Sequence, residues 1–316
     1  MVTSKPVILI TGGNGNLGRL VAERFEALGW EVVSFDLPGS ETADCAARKA
    51  VIAGDVRDTD LLGDVIDAHA PRAVMHLASL LSGSSEADPA LAWDVNASAS
   101  VRLMQLARER VAGPFVFAST IASYGPGLPA HLPEDAPQWP ANVYGATKVA
   151  VERVGHWLKE RGGIDFRCIR FPMVLSPFAP PGAVTAYPSH AFRAAARGEA
   201  FTFPVSAETG MSTMFLDDVT RSLVELTLAD PARLRRPAYN MHGFHFTAGQ
   251  LVERLQARHP KARFDFAPDA GVDATIAAWP DTIDDQGARM DWDWRPEYDF
   301  TTCVTRMFEI TADGSS

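Results

Sequence analysis

The chain has 316 residues, of which 47% are hydrophobic and 22% are charged, so it is long enough for a large core and has an ordinary globular composition. Its formal net charge of −10 argues against a nucleic-acid partner, because phosphate binding needs a basic surface. The three cysteines lie far apart in the sequence, which argues against a disulfide framework or a zinc knuckle. No apolar stretch approaches the ~20 residues that span a bilayer. We therefore expect a cytoplasmic protein without a metal site.

Short apolar segments alternate with amphipathic segments through the first half of the chain. The strands are predicted from the sequences PVILIT, EVVSFD, AVI, AVMHLA, PFVFAST and DFRCIRFP. The helices are predicted near residues 17–28, 59–70, 88–110 and 142–161. Many of the strands are apolar along their whole length, which is typical of a parallel sheet covered on both faces. We therefore predict an α/β protein with a Rossmann-type, doubly wound parallel sheet.

The pattern loosens after residue 172. The sequence PMVLSPFAPPGAVTAYPSH is rich in proline and glycine, which favours loops and a substrate cover. Further on, AYNMHG predicts a strand near residues 237–243 that returns to the main sheet. We predict a main domain over residues 1–175 with this strand, and a smaller interleaved substrate lobe from residues 176–236 and 244–316.

A glycine motif follows the first predicted strand. In VILITGGNGNLGRL, Gly12, Gly15 and Gly18 lie between an apolar strand and an amphipathic helix. Glycine permits a tight turn and close backbone approach, so the N–H groups and the dipole of the helix can face a pyrophosphate. The spacing is G-x-x-G-x-x-G, a variant of the common dinucleotide motif. Residues 1–175 are therefore predicted to bind a dinucleotide.

Two aspartates follow the next two predicted strands. Asp36 ends the second strand, where a carboxylate is expected to accept hydrogen bonds from the adenosine ribose and to repel a 2′-phosphate. No lysine or arginine follows until Arg48, which favours NAD over NADP. Asp55, in AGDVRD, is a candidate for the adenine edge, and a role in a turn or a helix cap stays open.

The sequence NVYGATK, residues 142–148, contains a candidate proton-transfer pair. Tyr144 and Lys148 are four residues apart, so a helix places them on one face. A free phenol has a pKa of about 10, and the charges of Lys148 and of an oxidised nicotinamide would lower it. Tyr144 is therefore the predicted base that takes a hydroxyl proton as a hydride leaves, and Lys148 could also hold the nicotinamide ribose.

Two hydroxyl residues end the strand PFVFAST, at the edge where parallel sheets meet their ligands. A hydroxyl there can hold the substrate oxygen against Tyr144. Thr120 is preferred for this role over Ser119, and either could instead cap the strand end.

The chain resembles the extended short-chain dehydrogenase/reductase family, which includes nucleotide-sugar epimerases and dehydratases. The sequences TGGNGNLG, GDVRD, MHLAS, ASTIASYG, YGATK and RFP occur in the order of that family. Within the family, it looks closest to the short-chain-type, NAD-dependent L-threonine 3-dehydrogenases. That similarity is seen in LLSGSSE, STIASYGP, IDFRCIRFP, MFLDD and WPDTIDDQGARMDWDW.

The resemblance implies a role for each matching position. It implies Thr120, Tyr144 and Lys148 as the catalytic set, and a homodimer built from the helices near residues 88–110 and 142–161. Residues implied near the substrate are Ser82, Ser119, Thr120, Tyr144 and Thr185. Residues implied near NAD are Gly12, Gly15, Asn16, Leu17, Gly18, Asp36, Asp55, Val56, Leu77, Ala78, Ser79, Asn96, Tyr144, Lys148 and Phe171.

One departure from the threonine dehydrogenases keeps the substrate open. Those enzymes tend to have an aspartate between the threonine and the tyrosine, and this chain has Ala186 there. A missing partner for a substrate ammonium would forfeit roughly 1.5–3 kcal/mol. The alternatives are a sugar-acid dehydrogenase and a nucleotide-sugar epimerase that retains NAD, for which Arg193 and Arg197 are candidate diphosphate contacts.

Other notable residues are predicted to be structural. Trp279, Trp292 and Trp294 are expected in the core of the smaller lobe. Asp217 and Asp218 are expected to hold a turn or a helix start, and His76 is expected to be a packed strand residue.

Overall fold

The computed structural model of the protein describes residues 5–41, 45, 47–179 and 184–313. The strands of this part of the chain are β1 Val7–Thr11, β2 Glu31–Asp36, β3 Ala50–Ala53, β4 Ala73–His76, β5 Pro114–Thr120, β6 His131–Leu132, β7 Asp165–Phe171, β8 Met173–Leu175, β9 Phe201–Phe203, β10 Gly210–Phe215, β11 Tyr239–Asn240, β12 Phe244–Thr247, β13 Phe264–Phe266 and β14 Thr282–Ile283.

Helices connect most of these strands. They are α1 Asn16–Ala27, α2 Thr59–His69, α3 Ser82–Ala87, α4 Pro89–Ala92, α5 Ser100–Arg110, α6 Val143–Glu160, α7 Tyr187–Arg197, α8 Leu216–Leu228, α9 Ala248–Arg258, α10 Ala270–Ala277, α11 Gln286–Trp292 and α12 Phe300–Asp313. Among the residues described, no helix combines the length and the apolar character needed to cross a membrane.

The main sheet has seven strands in the order β3-β2-β1-β4-β5-β7-β11, and every pairing is parallel. The predicted doubly wound α/β fold is confirmed. Alternate residues of β1 face opposite layers: Ile8 and Ile10 pack with α1 and α8, whereas Val7 and Leu9 pack with α2, α5 and α6. Because both faces are covered, the strands are apolar along their length.

The long helix predicted over residues 88–110 is interrupted. The segment Trp93–Ala99 between α4 and α5 is a π-helix. The Ser100 hydroxyl donates a hydrogen bond to the backbone carbonyl oxygen of Asn96 at 2.6 Å. The side-chain amide of Asn96 accepts a hydrogen bond from the Leu80 N–H and donates one to the Leu80 carbonyl oxygen. Sequence periodicity did not reveal this wider turn, which often marks a functional segment.

The second half contains more strand than its proline and glycine content predicts. Strand β10 pairs in parallel with β8 and antiparallel with β12, and this small sheet supports a second core with α7, α9 and α12. Strand β11 pairs with β7 in the main sheet. The division into domains at residues 175, 236 and 244 stays a prediction.

Two of the three tryptophans predicted in the core of the smaller lobe lie elsewhere. Trp292 and Trp294 are buried, but they pack in the main core with α8 and β11, and only Trp279 lies against the second core. The Trp292 ring lies edge-on to Tyr239 of β11, with centroids 6.0 Å apart. The segment after α10 therefore returns to the edge of the main sheet.

The contact between α1 and the glycine loop gives a stability prediction. A Cβ at Gly18 would lie 2.2 Å from the Gly12 carbonyl oxygen, so Gly18→Ala must move backbone. We expect it to lower the free energy of unfolding by about 1–3 kcal/mol, measured by urea denaturation. Gly83→Ala in α3 is the matched control, because its Cβ meets no atom within 4 Å; an equal loss there would contradict the packing argument.

Candidate functional site

The predicted site residues gather at one edge of the main sheet. Strands β1, β2, β4, β5 and β7 are parallel, so their last residues share the carboxyl edge. Those residues are Thr11, Asp36, His76, Thr120 and Phe171. Ligands of open parallel sheets bind at this edge, which makes it the candidate functional site.

The glycine loop forms a cradle at the end of β1. Gly12 has a φ of +68°, and a Cβ there would lie 2.7 Å from the backbone nitrogen of Ala78, in the loop after β4. Gly15 is the N-cap of α1, and no described side chain caps this helix. The N–H groups of Asn16, Leu17 and Gly18 therefore begin the helix without intrahelical partners. This cradle fits the pyrophosphate of a dinucleotide.

A polar cluster beneath the loop was missed from the sequence. The side-chain oxygen of Asn14 accepts hydrogen bonds from the Ser34 hydroxyl at 2.6 Å and from the Arg48 guanidinium at 2.7 Å. Arg48 also donates to Ser34, at 2.8 Å. The segment around Arg48 has no periodic pattern, so the contacts of this side chain could not be predicted. It binds the loop to β2.

Asp36 is held beside this cluster. One oxygen of its carboxylate accepts a hydrogen bond from the Asn14 N–H at 2.9 Å, and the other accepts a hydrogen bond from the Leu37 N–H at 2.8 Å. Each oxygen keeps a second lone pair, which suits a pair of ribose hydroxyls. The predicted contact with NAD has the right chemistry and stays a prediction.

The remaining residues predicted near NAD line the same edge with differing roles. The Asp55 carboxylate accepts a hydrogen bond from the Arg57 guanidinium at 2.6 Å, which lowers the pKa of the carboxyl group. It also accepts a hydrogen bond from the Arg57 backbone N–H at 2.9 Å. The turn role left open for Asp55 is thus observed. Asn96 holds the loop after β4, because it bonds Leu80 at 2.7 and 2.9 Å. Three of the others lie in that loop, namely Leu77, Ala78 and Ser79, whereas Phe171 ends β7 and Val56 lies in the turn between β3 and α2.

Tyr144 and Lys148 lie together near the start of α6. The Asn142 side chain caps this helix by accepting from the Gly145 N–H at 2.7 Å. The Lys148 ammonium is 5.4 Å from the centroid of the Tyr144 ring and donates to the Ala118 carbonyl oxygen of β5 at 2.9 Å. The helix is thereby joined to the strand that ends in the hydroxyl residues.

The ionisation of this pair differs from the sequence-based expectation. Burial raises the pKa of Tyr144 to about 12 and lowers the pKa of Lys148 to about 8. Removing both groups from water disfavours phenolate and ammonium alike. In the protein alone, the pKa of Tyr144 therefore shifts upward, and the acidification expected with an oxidised nicotinamide bound stays a prediction. A cationic nicotinamide beside the ring would supply the missing positive charge.

The structure separates the roles of Thr120 and Ser119. The Ser119 hydroxyl donates to the carboxylate of Glu152, and Ser119 is 4% exposed. The assignment of Ser119 to the substrate is corrected, because the hydrogen of its hydroxyl is donated to Glu152 inside the protein. The Thr120 oxygen accepts from the Ala122 N–H at 3.1 Å, which leaves the Thr120 hydroxyl hydrogen to donate. The Thr120 oxygen thus caps the turn Ile121–Ser123, the alternative left open for it, and its contact with a substrate stays a prediction.

The predicted substrate residues lie on two further segments. Ser82 is the exposed first residue of α3. Thr185 is half-buried in the 3₁₀ turn Val184–Ala186 before α7, and the adjoining residues 180–183 lie outside the described part of the chain. Ala186 is the N-cap of α7 and provides no side-chain cap. The approach of Ser82 and Thr185 to a substrate stays a prediction.

The structural predictions for two other sites are confirmed. His76 is buried, its ring nitrogens bond Thr11 at 2.6 Å and Ser100 at 2.7 Å, and burial lowers its pKa to about 3. It is therefore a neutral, packed residue. Asp217 and Asp218 lie in the first turn of α8, as expected for a helix start.

Comparisons with known proteins agree with this geometry. Residues 8–241 match the NAD dependent epimerase/dehydratase family. An uncharacterized epimerase/dehydratase of Staphylococcus aureus is 30% identical over 96% of this chain and 95% of its own length. Two solved structures are similar over nearly all of both chains.

The first is a GalE-like L-threonine dehydrogenase from Cupriavidus necator in its holo form, with a TM-score of 0.89 and 30% identity over 96% of this chain and 99% of that one. The second is an L-threonine dehydrogenase from Clostridium difficile, with a TM-score of 0.92 and 25% identity over 99% of each chain.

The position of Asp36 gives a binding prediction. We expect Asp36→Asn to weaken NAD binding about 10- to 100-fold, because each charge-assisted hydrogen bond contributes about 1.5–3 kcal/mol. Calorimetric titration measures this change. The control is Asp67→Asn, which removes a surface carboxylate paired with Arg110 at 2.9 Å. Unchanged affinity in Asp36→Asn would place the ribose elsewhere.

Proposed function

The chain belongs to the NAD dependent epimerase/dehydratase family, and on that premise we propose that it oxidises the secondary hydroxyl of a small polar substrate with NAD as the acceptor. The observation that carries the proposal is the convergence of Tyr144, Lys148 and Thr120 at the edge that holds the glycine cradle. L-Threonine is the leading substrate, supported by the similarity to L-threonine dehydrogenases.

The residues have distinct tasks in this proposal. NAD, when bound, would accept a hydride from the substrate carbon, and the cradle of Gly12, Gly15 and the start of α1 would hold its pyrophosphate. The Thr120 hydroxyl donates to the substrate oxygen and fixes its distance from Tyr144. The Tyr144 phenolate takes the hydroxyl proton, and the ammonium of Lys148 stabilises that phenolate.

Association of two copies is also part of the proposal. Trp93 in the π-helix and Trp157 in α6 are 48% and 49% exposed, which is unusual for large aromatic side chains. Both lie on segments that the resemblance implied for a homodimer. Their exposure supports such an interface.

A substrate panel tests the reaction. Purified protein with excess NAD should form NADH, followed by absorbance, with L-threonine in preference to its stereoisomers. Activity only with hydroxy or sugar acids that lack an amine would replace threonine by those acids. No NADH with any alcohol, from protein that purifies with NAD bound, would contradict the dehydrogenase and favour an epimerase.

A substitution at Ala186 can be measured with the same substrate panel. Ala186→Asp gives this position the aspartate that the threonine dehydrogenases tend to have there. Its carboxylate could attract a substrate ammonium, so kcat/KM for L-threonine should rise about tenfold while that for amine-free acids does not. Equal changes for both substrate classes would show that residue 186 does not face the amine.

Tyr144→Phe tests the mechanism. We expect turnover to fall at least about 10³-fold, since general base catalysis typically contributes 10²–10⁴-fold, with NAD affinity changed less than about threefold. Stopped-flow NADH formation and calorimetry measure the two quantities. Tyr298→Phe, which removes a hydroxyl bound to Asp217 at 3.1 Å, is the control. An undiminished rate in Tyr144→Phe would refute the proposed base.

A further inference from the structure

A buried polar network lies directly behind Tyr144 and Lys148. Glu152 follows Lys148 by one turn of α6 and is 4% exposed. One oxygen of its carboxylate accepts from the Arg170 guanidinium at 2.6 and 3.0 Å and from the Gln138 amide at 3.0 Å. The other accepts from the Ser119 hydroxyl. A buried carboxylate with this many donors is held in one position.

The network joins the elements that carry the candidate catalytic groups. Ser119 lies between Ala118, whose carbonyl oxygen receives the Lys148 ammonium at 2.9 Å, and Thr120. Glu152 therefore holds the strand segment that both groups use. A shift of this strand end would alter the hydroxyl and the ammonium together.

Arg170 extends the network to the far edge of the sheet. Its guanidinium donates to the Tyr124 hydroxyl at 2.7 Å, and that hydroxyl donates to the Asn240 side chain of β11 at 2.7 Å. Burial opposes the charge of Arg170, yet the Glu152 carboxylate raises its pKa. The two side chains form an ion pair of 2.6 Å inside the protein, where such pairs are costly unless they are fully bonded.

The charges around Lys148 give Glu152 a second effect. Burial lowers the pKa of His76 to about 3 and raises the pKa of Cys168 and Tyr144, so these groups are neutral near pH 7. In the described part of the chain, burial lowers the pKa of Lys148, whereas Cys168 and Glu152 raise it. Because the thiol is neutral, the negative charge near the ammonium is that of the Glu152 carboxylate, which is paired with Arg170 at 2.6 Å. The titratable groups around the ammonium are Tyr144 and Glu152 on α6, His76 on β4 and Cys168 on β7. Arg170 on β7 pairs with Glu152 behind them.

We propose that Glu152 is a positioning residue: it fixes the end of β5 against α6 and supplies the negative charge that keeps the buried Lys148 protonated. The effect of Glu152 on the reaction rate rests on the proposed function. The protonation of Lys148 can be measured without turnover. A purely structural ion pair would hold the helix and leave the titration of Lys148 unchanged.

The charge is tested with Glu152→Gln, which keeps the shape of the side chain. The chain has five lysines, so the ¹³Cε signal of Lys148 can be followed by NMR and assigned with Lys148→Arg. We expect its titration midpoint to fall by roughly 1 pH unit, because an anion is lost and the Arg170 cation loses its partner. Lys159, whose pKa is also lowered by burial, is the internal control and should not move.

The rate is tested with the same variant. We expect kcat to fall about tenfold or more, KM for NAD to change less than about threefold, and the alkaline limb of the pH profile to move to lower pH, because Lys148 loses its proton earlier. Glu152→Asp, which keeps the charge, should restore the titration midpoint of Lys148 and part of the rate.

A third variant covers the case in which Glu152→Gln does not fold. Ser119→Ala removes one hydrogen bond to Glu152 without changing charge, so kcat should fall while the midpoint of Lys148 stays. An unchanged Lys148 midpoint in folded Glu152→Gln would overturn the role of the charge, and a wild-type kcat in Ser119→Ala would overturn the positioning role. If wild-type protein oxidises no alcohol, the proposed function fails, and the Lys148 titration still decides the role of the charge.

Discussion

The site depends on the close approach of α6 to the main sheet. Two glycines permit it: a Cβ at Gly145 would lie 2.3 Å from the Ala122 carbonyl oxygen, and a Cβ at Gly155 would lie 2.5 Å from the Phe166 ring. Gly145 directly follows Tyr144, and Gly145 and Gly155 flank the turns that carry Lys148 and Glu152. With bulkier residues at both points, α6 would sit farther from β5, and the Lys148 ammonium could not reach a backbone oxygen of that strand.

This close approach also sets the chemistry of the site. The same burial that fixes the geometry disfavours charge, so the phenol of Tyr144 is hard to ionise and the ammonium of Lys148 is easy to deprotonate. A site of this kind needs fixed charges of its own and charge brought by its ligand. The low dielectric of the interior then strengthens each of those interactions where the reaction occurs.

The sequence predicted the elements whose signals are local. The glycine loop, the apolar strands and the Tyr144–Lys148 spacing follow from turn chemistry and periodicity, and the parallel sheet follows from their alternation. It could not predict contacts between distant segments. Arg48 under the glycine loop and Arg170 against Glu152 are ordinary charged residues until the fold brings them together. Nor could it weigh burial against charge for Tyr144, because burial belongs to the folded chain.

The packing of Trp292 and Trp294 into the main core has a consequence for biosynthesis. Six of the seven strands of the main sheet are complete by Phe171 and the seventh by Asn240, but their core includes side chains from beyond residue 287. As a ribosome makes the protein from its N-terminus, the sheet can pair while one flank of its core is still open. Those apolar surfaces stay exposed to other nascent chains and to chaperones until the segment that carries Trp292 and Trp294 has emerged. The core of the main sheet is therefore completed only by a segment that is made after all seven of its strands.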